Sequence, residues 1–194
     1  MDAFENVVAA ILQRHGYWTM TSVKVELTKA EKRAIGRHSS PRWELDIVAY
    51  RGSDNQLLVM ECKSFLDSPG VDLAAFSGRS PKAAKRYKLF GDPQLRRVVF
   101  RRLTRQLVDA GFCRSRPSIK LCLAAGKIRG DEGWLQSHFR RRGWELWGPK
   151  RIREELRALR DTGYENTVAA VVAKILLRDG RSHLRPSSGV DAAV

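Results

Sequence analysis

The chain has 194 residues and is 43% hydrophobic, enough for one sizeable core with a small appendage. Its 36 Lys and Arg against 21 Asp and Glu leave a formal net charge of +15, which favours polyanionic partners, nucleic acid above all. No apolar run approaches the ~18 residues of a membrane-spanning helix, so no membrane partner is expected. The start carries acids at Asp2 and Glu5 and no basic n-region, which argues against a signal peptide. Cys62, Cys113 and Cys122 form no CxxC pair and have no paired His spacing. That argues against a zinc site and reads as buried thiols in a reducing cytoplasm.

Asp2 can cap a first helix whose apolar face is Phe4, Val7, Val8, Ile11 and Leu12, ending at Gly16. Residues 17–27 alternate and are rich in β-branched and aromatic side chains, a strand signature. Residues 28–42 read as a basic loop, with a helical turn around Ala30–Ala34 as one option. Trp43–Tyr50 is a second strand, Gly52–Asn55 a turn, and Gln56–Lys63 a third strand, making an antiparallel hairpin. Residues 64–92 look long and irregular, and carry Lys82, Lys85, Arg86 and Lys88.

Asp92 and Pro93 start a long helix to about Ala110, with Leu95, Val98, Val99, Leu103 and Leu107 on one stripe and Arg97, Arg101 and Arg105 on another. Ser118–Ala125 is a continuously apolar strand, suited to the middle of a sheet. A helix over 131–142, a short strand over 144–147 and a helix from Pro149 to Arg160 follow. Asn166 or Thr167 caps a last helix with Val168, Val171, Val172, Ile175 and Leu176 on one face, which can pack on the core or on a second subunit in a homodimer. Residues 181–194 lack periodicity and read as a tail. The sum is an α/β layered domain over 1–160 with a mixed β-sheet flanked by helices, followed by a C-terminal helix over 161–180.

Each strand of the hairpin carries acid where an apolar residue is more comfortable. Alternation puts Glu44, Asp46, Val48 and Tyr50 on one face of the second strand, and Leu57, Val59, Glu61 and Lys63 on one face of the third. Folding about the Gly52–Asn55 turn sets Asp46 opposite Glu61, with Cβ atoms roughly 4.5–5.5 Å apart. Two like charges so placed destabilise a sheet unless compensated. Lys63 can neutralise one of them, and a divalent cation both. Mg²⁺ or Mn²⁺ takes oxygen ligands of this kind together with substrate phosphates. That combination suits phosphodiester hydrolysis, with Lys63 orienting water or stabilising the charged transition state. The alternative reading is a salt-bridge cluster on an exposed face, against which Val48 and Val59 argue by placing apolar residues beside the acids.

Asp46 followed on the next strand by Glu61-Cys62-Lys63 resembles the PD-(D/E)xK nuclease superfamily, the restriction-endonuclease-like fold. The wording Glu44-Leu-Asp46-Ile47 and Glu61-Cys-Lys-Ser64 looks closer to its Mrr-like and Holliday-junction-resolvase-like members than to the RecB-like branch. The resemblance implies a core of helix, three-stranded meander, helix and strand, the order read from Phe4 to about Ala125. It implies a Mg²⁺- or Mn²⁺-dependent endonuclease, with Asp46, Glu61 and Lys63 catalytic. It also implies a metal held by Asp46, Glu61, the Cys62 backbone carbonyl and an acid of the first helix, for which Glu5 matches in position. Glu5 has a plainer reading as an acid favoured by the helix dipole. The Pro that often precedes the Asp is replaced by Leu45, and no Q-x-x-x-Y element of the RecB-like branch is present.

Nucleic acid, DNA ahead of RNA, would be held by Arg42, Ser64, Lys82, Lys85, Arg86, Arg97 and Arg101, contacts that position a backbone without reading sequence. Arg97 and Arg101 read equally as a solvated helix face. Trp134, Trp144 and Trp147 suit base stacking or the core. His15, His38, His138 and His183 show no pairing and read as surface or packing residues; His38, in the basic loop, is the one worth testing. Two rival functions are a non-catalytic nucleic-acid-binding module on the same fold and an RNA-directed nuclease.

Overall fold

The computed structural model describes residues 2–36 and 43–177. Arg42, His38, His183 and the 181–194 tail therefore lie outside the described residues.

Helix α1 spans Ala3–Arg14 and begins in a reciprocal capping box. The Asp2 side chain accepts the Phe4 N–H at 2.9 Å, and Glu5 Oε2 accepts the Asp2 N–H at 3.3 Å, which satisfies donors that an uncapped helix leaves open. Strand β1 is Trp18–Val25 and helix α2 is Lys29–Ala34, capped by Thr28 and Glu31, so the helical option in the basic segment is the one adopted. Strands β2, Trp43–Arg51, and β3, Gln56–Lys63, form the hairpin.

Residues 64–92 are more ordered than their composition suggests. They hold a two-residue strand β4 (Val71–Asp72), a 3-10 turn (Leu73–Ala75) and the short helices α3 (Pro81–Ala84) and α4 (Lys88–Gly91). The starts are local and polar: the Asp72 side chain accepts the Ala74 N–H, and Ser80 Oγ accepts the Ala83 N–H. Helix α5 (Pro93–Asp109) starts at Asp92, whose carboxylate accepts the Leu95 N–H at 2.9 Å. Strands β5 (Ser118–Ala125) and β6 (Ile128–Arg129), helix α6 (Glu132–Arg141), strand β7 (Glu145–Trp147) and helices α7 (Pro149–Arg160) and α8 (Val168–Leu177) complete the chain. Thr167 is the α8 cap, accepting the Ala170 N–H at 3.2 Å.

The main sheet is mixed and runs β1-β2-β3-β5-β7. The first three strands are antiparallel; β3, β5 and β7 are parallel. A second, two-stranded parallel sheet joins β4 to β6. The alternating strands split the core into two layers. Val48, Val59, Leu121 and Leu123 pack under α5 and α6 with Leu95, Val99 and Phe139. Ile47, Leu58, Met60, Cys122 and Ala124 pack under α1, α7 and α8 with Val8, Ile11 and Trp147. The three cysteines are free and buried.

Helix α8 is apolar on both sides. Ala169 and Ala173 are turned onto the second layer, while Val168, Val172, Ile175 and Leu176 remain exposed. No helix among the described residues is long and apolar enough to cross a membrane.

Candidate functional site

The hairpin register places Ile47 against Met60, Val48 against Val59 and Tyr50 against Leu57, so the turn at Gly52–Asn55 aligns the strands as expected. Extending that register by one pair sets Asp46 against Glu61. The ladder stops before it. Pairing ends at Ile47–Met60, and the Cys62 N–H is accepted by the Asp46 side chain, through Oδ2 at 2.7 Å.

A matching irregularity lies one strand further out. The β1–β2 pairing holds one register throughout but skips Ser22 and Asp46, and Ser22 has φ +52°, a left-handed conformation that side chains seldom adopt. Side-chain alternation switches there. Trp43 and Leu45 pack in the same layer as Val48 and Tyr50, although an unbroken strand would place them on opposite faces. The expected set of Glu44, Asp46, Val48 and Tyr50 is thus corrected: Glu44 is exposed, and Asp46 sits at the switch with its carboxylate reaching along the sheet toward β3.

Where β2 leaves β3 a cleft of about 250 Å³ opens. Trp43–Asp46 form one wall and Val59–Glu61 the other, with Lys85, Arg86 and Lys88 contributing exposed cations. Beyond the split, β3 stays paired with β5, Glu61 against Leu123 and Lys63 against Ala125. Gly126 fixes that end: its N–H donates to the Lys63 carbonyl at 3.0 Å, and a Cβ there would collide with the Ser64 carbonyl oxygen. Gly126 has no counterpart in the motif; only the close approach of two backbones reveals it.

Three oxygens converge on the Lys63 ammonium. Nζ lies 3.2 Å from Glu61 Oε1, 3.7 Å from Asp46 Oδ2 and 3.1 Å from the Cys62 carbonyl oxygen. The three side chains retain only 16–29% exposure. Burial pushes the Glu61 carboxyl above its usual range, with Lys63 opposing that and Asp46 adding to it. Burial also works against the Lys63 ammonium, but Glu61 and Asp46 outweigh it and hold the Lys63 pKa above the ordinary lysine value. Lys63 is therefore a charged group at neutral pH, suited to stabilising negative charge rather than to abstracting a proton. Burial raises the Cys62 thiol, which makes it an inert packing residue whose chemical contribution is its carbonyl.

Among the described residues no three His, Cys, Asp or Glu side chains come close enough to form a metal-holding group. Glu5 is not gathered with Asp46 and Glu61. It closes the α1 capping box, and its charge is felt at the Cys62 thiol. The oxygen set at the split is thus two carboxylates and one carbonyl, hard donors already arranged around a positive charge, which fits Mg²⁺ or Mn²⁺ in chemical type.

The other predicted nucleic-acid residues divide. Lys85 and Arg86 line the cleft; Lys82 is exposed on α3; Arg97 and Arg101 are exposed on α5 and do not line it. Ser64 lines a separate recess against the α1 N-terminus, with Phe4 and Phe65. Trp147 is core, whereas Trp134 and Trp144 are half-buried. His138 is buried and accepts a hydrogen bond from Arg142, while His15 meets Glu155 at 2.9 Å.

No protein-family model and no curated protein matches the chain. A crystal structure described as a protein of unknown function, AF1548, is 18% identical, with a TM-score of 0.41 over 77% of this chain and 63% of that one.

Proposed function

We propose that the protein is a Mg²⁺- or Mn²⁺-dependent nuclease of the restriction-endonuclease-like fold, acting on DNA through backbone or structure recognition. The observation that carries the reading is the convergence of Asp46, Glu61 and the Cys62 carbonyl on one positive charge at a strand split. The Asp46 carboxylate has a structural bond to the Cys62 N–H, but a second carboxylate beside it adds repulsion that a sheet does not need and a phosphoryl-transfer site uses. The order α1, β1–β3, α5, β5 supports the fold assignment.

A divalent cation, when bound, polarises the phosphoryl oxygens and eases deprotonation of water. Asp46 and Glu61 would hold it, with the Cys62 carbonyl as third donor. Lys63 then turns its ammonium to the charge that builds on the phosphate. Asp46 is pinned by the Cys62 N–H, so its second oxygen has a fixed direction. Lys85, Arg86 and Lys88 hold the flanking phosphates.

A second reading, a nucleic-acid-binding module without catalysis, draws on Lys63 already compensating both acids and on the absence of a third acid at the site among the described residues. A cleavage panel separates the readings. Duplex, single-stranded and branched DNA and RNA are incubated with Mn²⁺ or with chelator. Cutting of a DNA substrate in Mn²⁺ alone supports the nuclease, cutting confined to RNA moves the reading to an RNA-directed enzyme, and Mn²⁺ calorimetry without heat at the acids supports the module.

A further inference from the structure

Residues 84–91 separate two cavities. Lys85, Arg86, Lys88 and Leu89 line the cleft of Asp46 and Glu61, whereas Ala84, Tyr87, Phe90 and Gly91 line a larger cavity of about 780 Å³ on the other side. Tyr87 is buried in this partition, and burial, followed by the charge of Glu61, raises its hydroxyl pKa.

The far wall of the larger cavity is aromatic and cationic. Trp134 stacks on His138, with ring centroids 4.9 Å apart and planes 23° from parallel. Trp144 stands under two guanidinium groups, Arg96 at 5.5 Å and Arg142 at 5.4 Å. Arg96 is tied to the partition itself, donating to the carbonyls of Leu89 at 2.6 Å and Phe90 at 3.3 Å. Arg142 is exposed and braced on His138. Among the described residues no carboxylate lines the cavity. Half-buried indole faces beside fixed guanidinium groups, with acid kept away, select a flat ring carrying negative charge.

We propose that this cavity is a nucleotide subsite, taking an unstacked base of the strand whose phosphate lies at Asp46, Glu61 and Lys63. The base lies against Trp134, Arg142 meets its phosphate, and the strand crosses the partition over Lys85, Arg86 and Lys88. The placement rests on the nuclease reading of the neighbouring cleft; the ring-binding chemistry stands on its own residues.

The test uses the full chain carrying Asp46→Asn, without added metal, so that no strand is cut. Fluorescence anisotropy measures binding of a dye-labelled oligothymidylate and of an abasic strand of equal length and charge, with thymidine monophosphate as competitor. The base-bearing strand is expected to bind about ten-fold tighter or more, since stacking acts base by base. Trp134→Leu is expected to bring it to the abasic level. Arg142→Gln, at an exposed position, is expected to weaken it as well, with a thermal melt of each variant confirming that it is folded.

Equal binding of the two strands, or a preference that survives both substitutions, overturns the subsite. Competition by the mononucleotide as effective as by the strand, compared per nucleotide, assigns the cavity to a free nucleotide and overturns the strand path. If the wild-type protein cuts nothing yet the base preference is present, the nuclease reading fails and the subsite remains. If it cuts DNA and the preference is absent, the subsite alone fails.

Discussion

The Asp46 carboxylate accepts the Cys62 N–H at 2.7 Å, so a side chain takes over the strand pairing where the β2–β3 ladder ends. Asp46 thus has a structural bond as well as its proposed chemical one, and two substitutions separate them. Asp46→Asn keeps an acceptor for that N–H and removes the charge. Asp46→Ala leaves a part-buried donor unpaired, which costs about 1–3 kcal/mol. Urea denaturation is expected to show Asp46→Ala clearly less stable than Asp46→Asn, while both lose Mn²⁺ binding in calorimetry.

Lys63 is the positive charge within reach of both acids, 3.7 Å from Asp46 and 3.2 Å from Glu61. Lys63→Met leaves two carboxylates facing each other without it. The drop in stability stays below the about 3–5 kcal/mol of a fully buried broken pair, because these side chains keep some exposure to solvent. A divalent cation replaces the missing charge. Thermal melts are expected to show a larger rise in Tm on adding Mn²⁺ for Lys63→Met than for the wild type, because binding to the folded state alone raises stability.

The cations at the cleft and those on α5 make different predictions. Lys85 and Arg86 line the cleft, while Arg97 and Arg101 point from α5 without lining it. Replacing Lys85 and Arg86 by Ala should weaken single-strand binding. It should also flatten the dependence of log K on log salt by about 0.7 for each phosphate that is no longer neutralised. The Arg97 and Arg101 pair should change both much less. Binding titrations across a salt series read both quantities.

Burial, with Arg142 and Arg141 adding to it, holds the His138 pKa below its ordinary 6.5. Below that value the unfolded chain takes a proton that the folded chain still refuses, so stability falls with pH until the folded-state pKa is passed. Denaturation midpoints should therefore drop as the pH is lowered through 6.5, and His138→Gln should remove part of that drop.

The elements that sequence made legible are those with local signals. The Asn55 turn fixed the hairpin register, and Asp2, Asp92 and Pro149 marked helix starts that the structure places within a residue. The break at Asp46 was hidden because it goes with the positive φ of Ser22 on the neighbouring strand, a residue whose identity does not announce it. Strands β4 and β6 were hidden because two residues carry no periodicity; Val71 and Ile128 find each other only through the fold. In the site, Asp46, Glu61 and Lys63 come together as expected, but by another route: the Asp46 carboxylate reaches β3 across the end of the ladder rather than as a cross-strand partner of Glu61, and Glu5 does not join them. A motif places residues on elements, but whether α1 brings an acid to the strand split is decided by packing: Val8 and Ile11 seat α1 on the Cys62 face, and its first turn uses Glu5 as a cap. Gly126 borders the site with no motif at all.

The most direct measurement is the rate of DNA cleavage in Mn²⁺ by the wild type and by Lys63→Met at matched cation occupancy. The wild type is expected to cut, and Lys63→Met is expected to bind Mn²⁺ without cutting. Equal cutting by the two proteins, or no cutting by the wild type on duplex, single-stranded and branched substrates, would contradict that expectation.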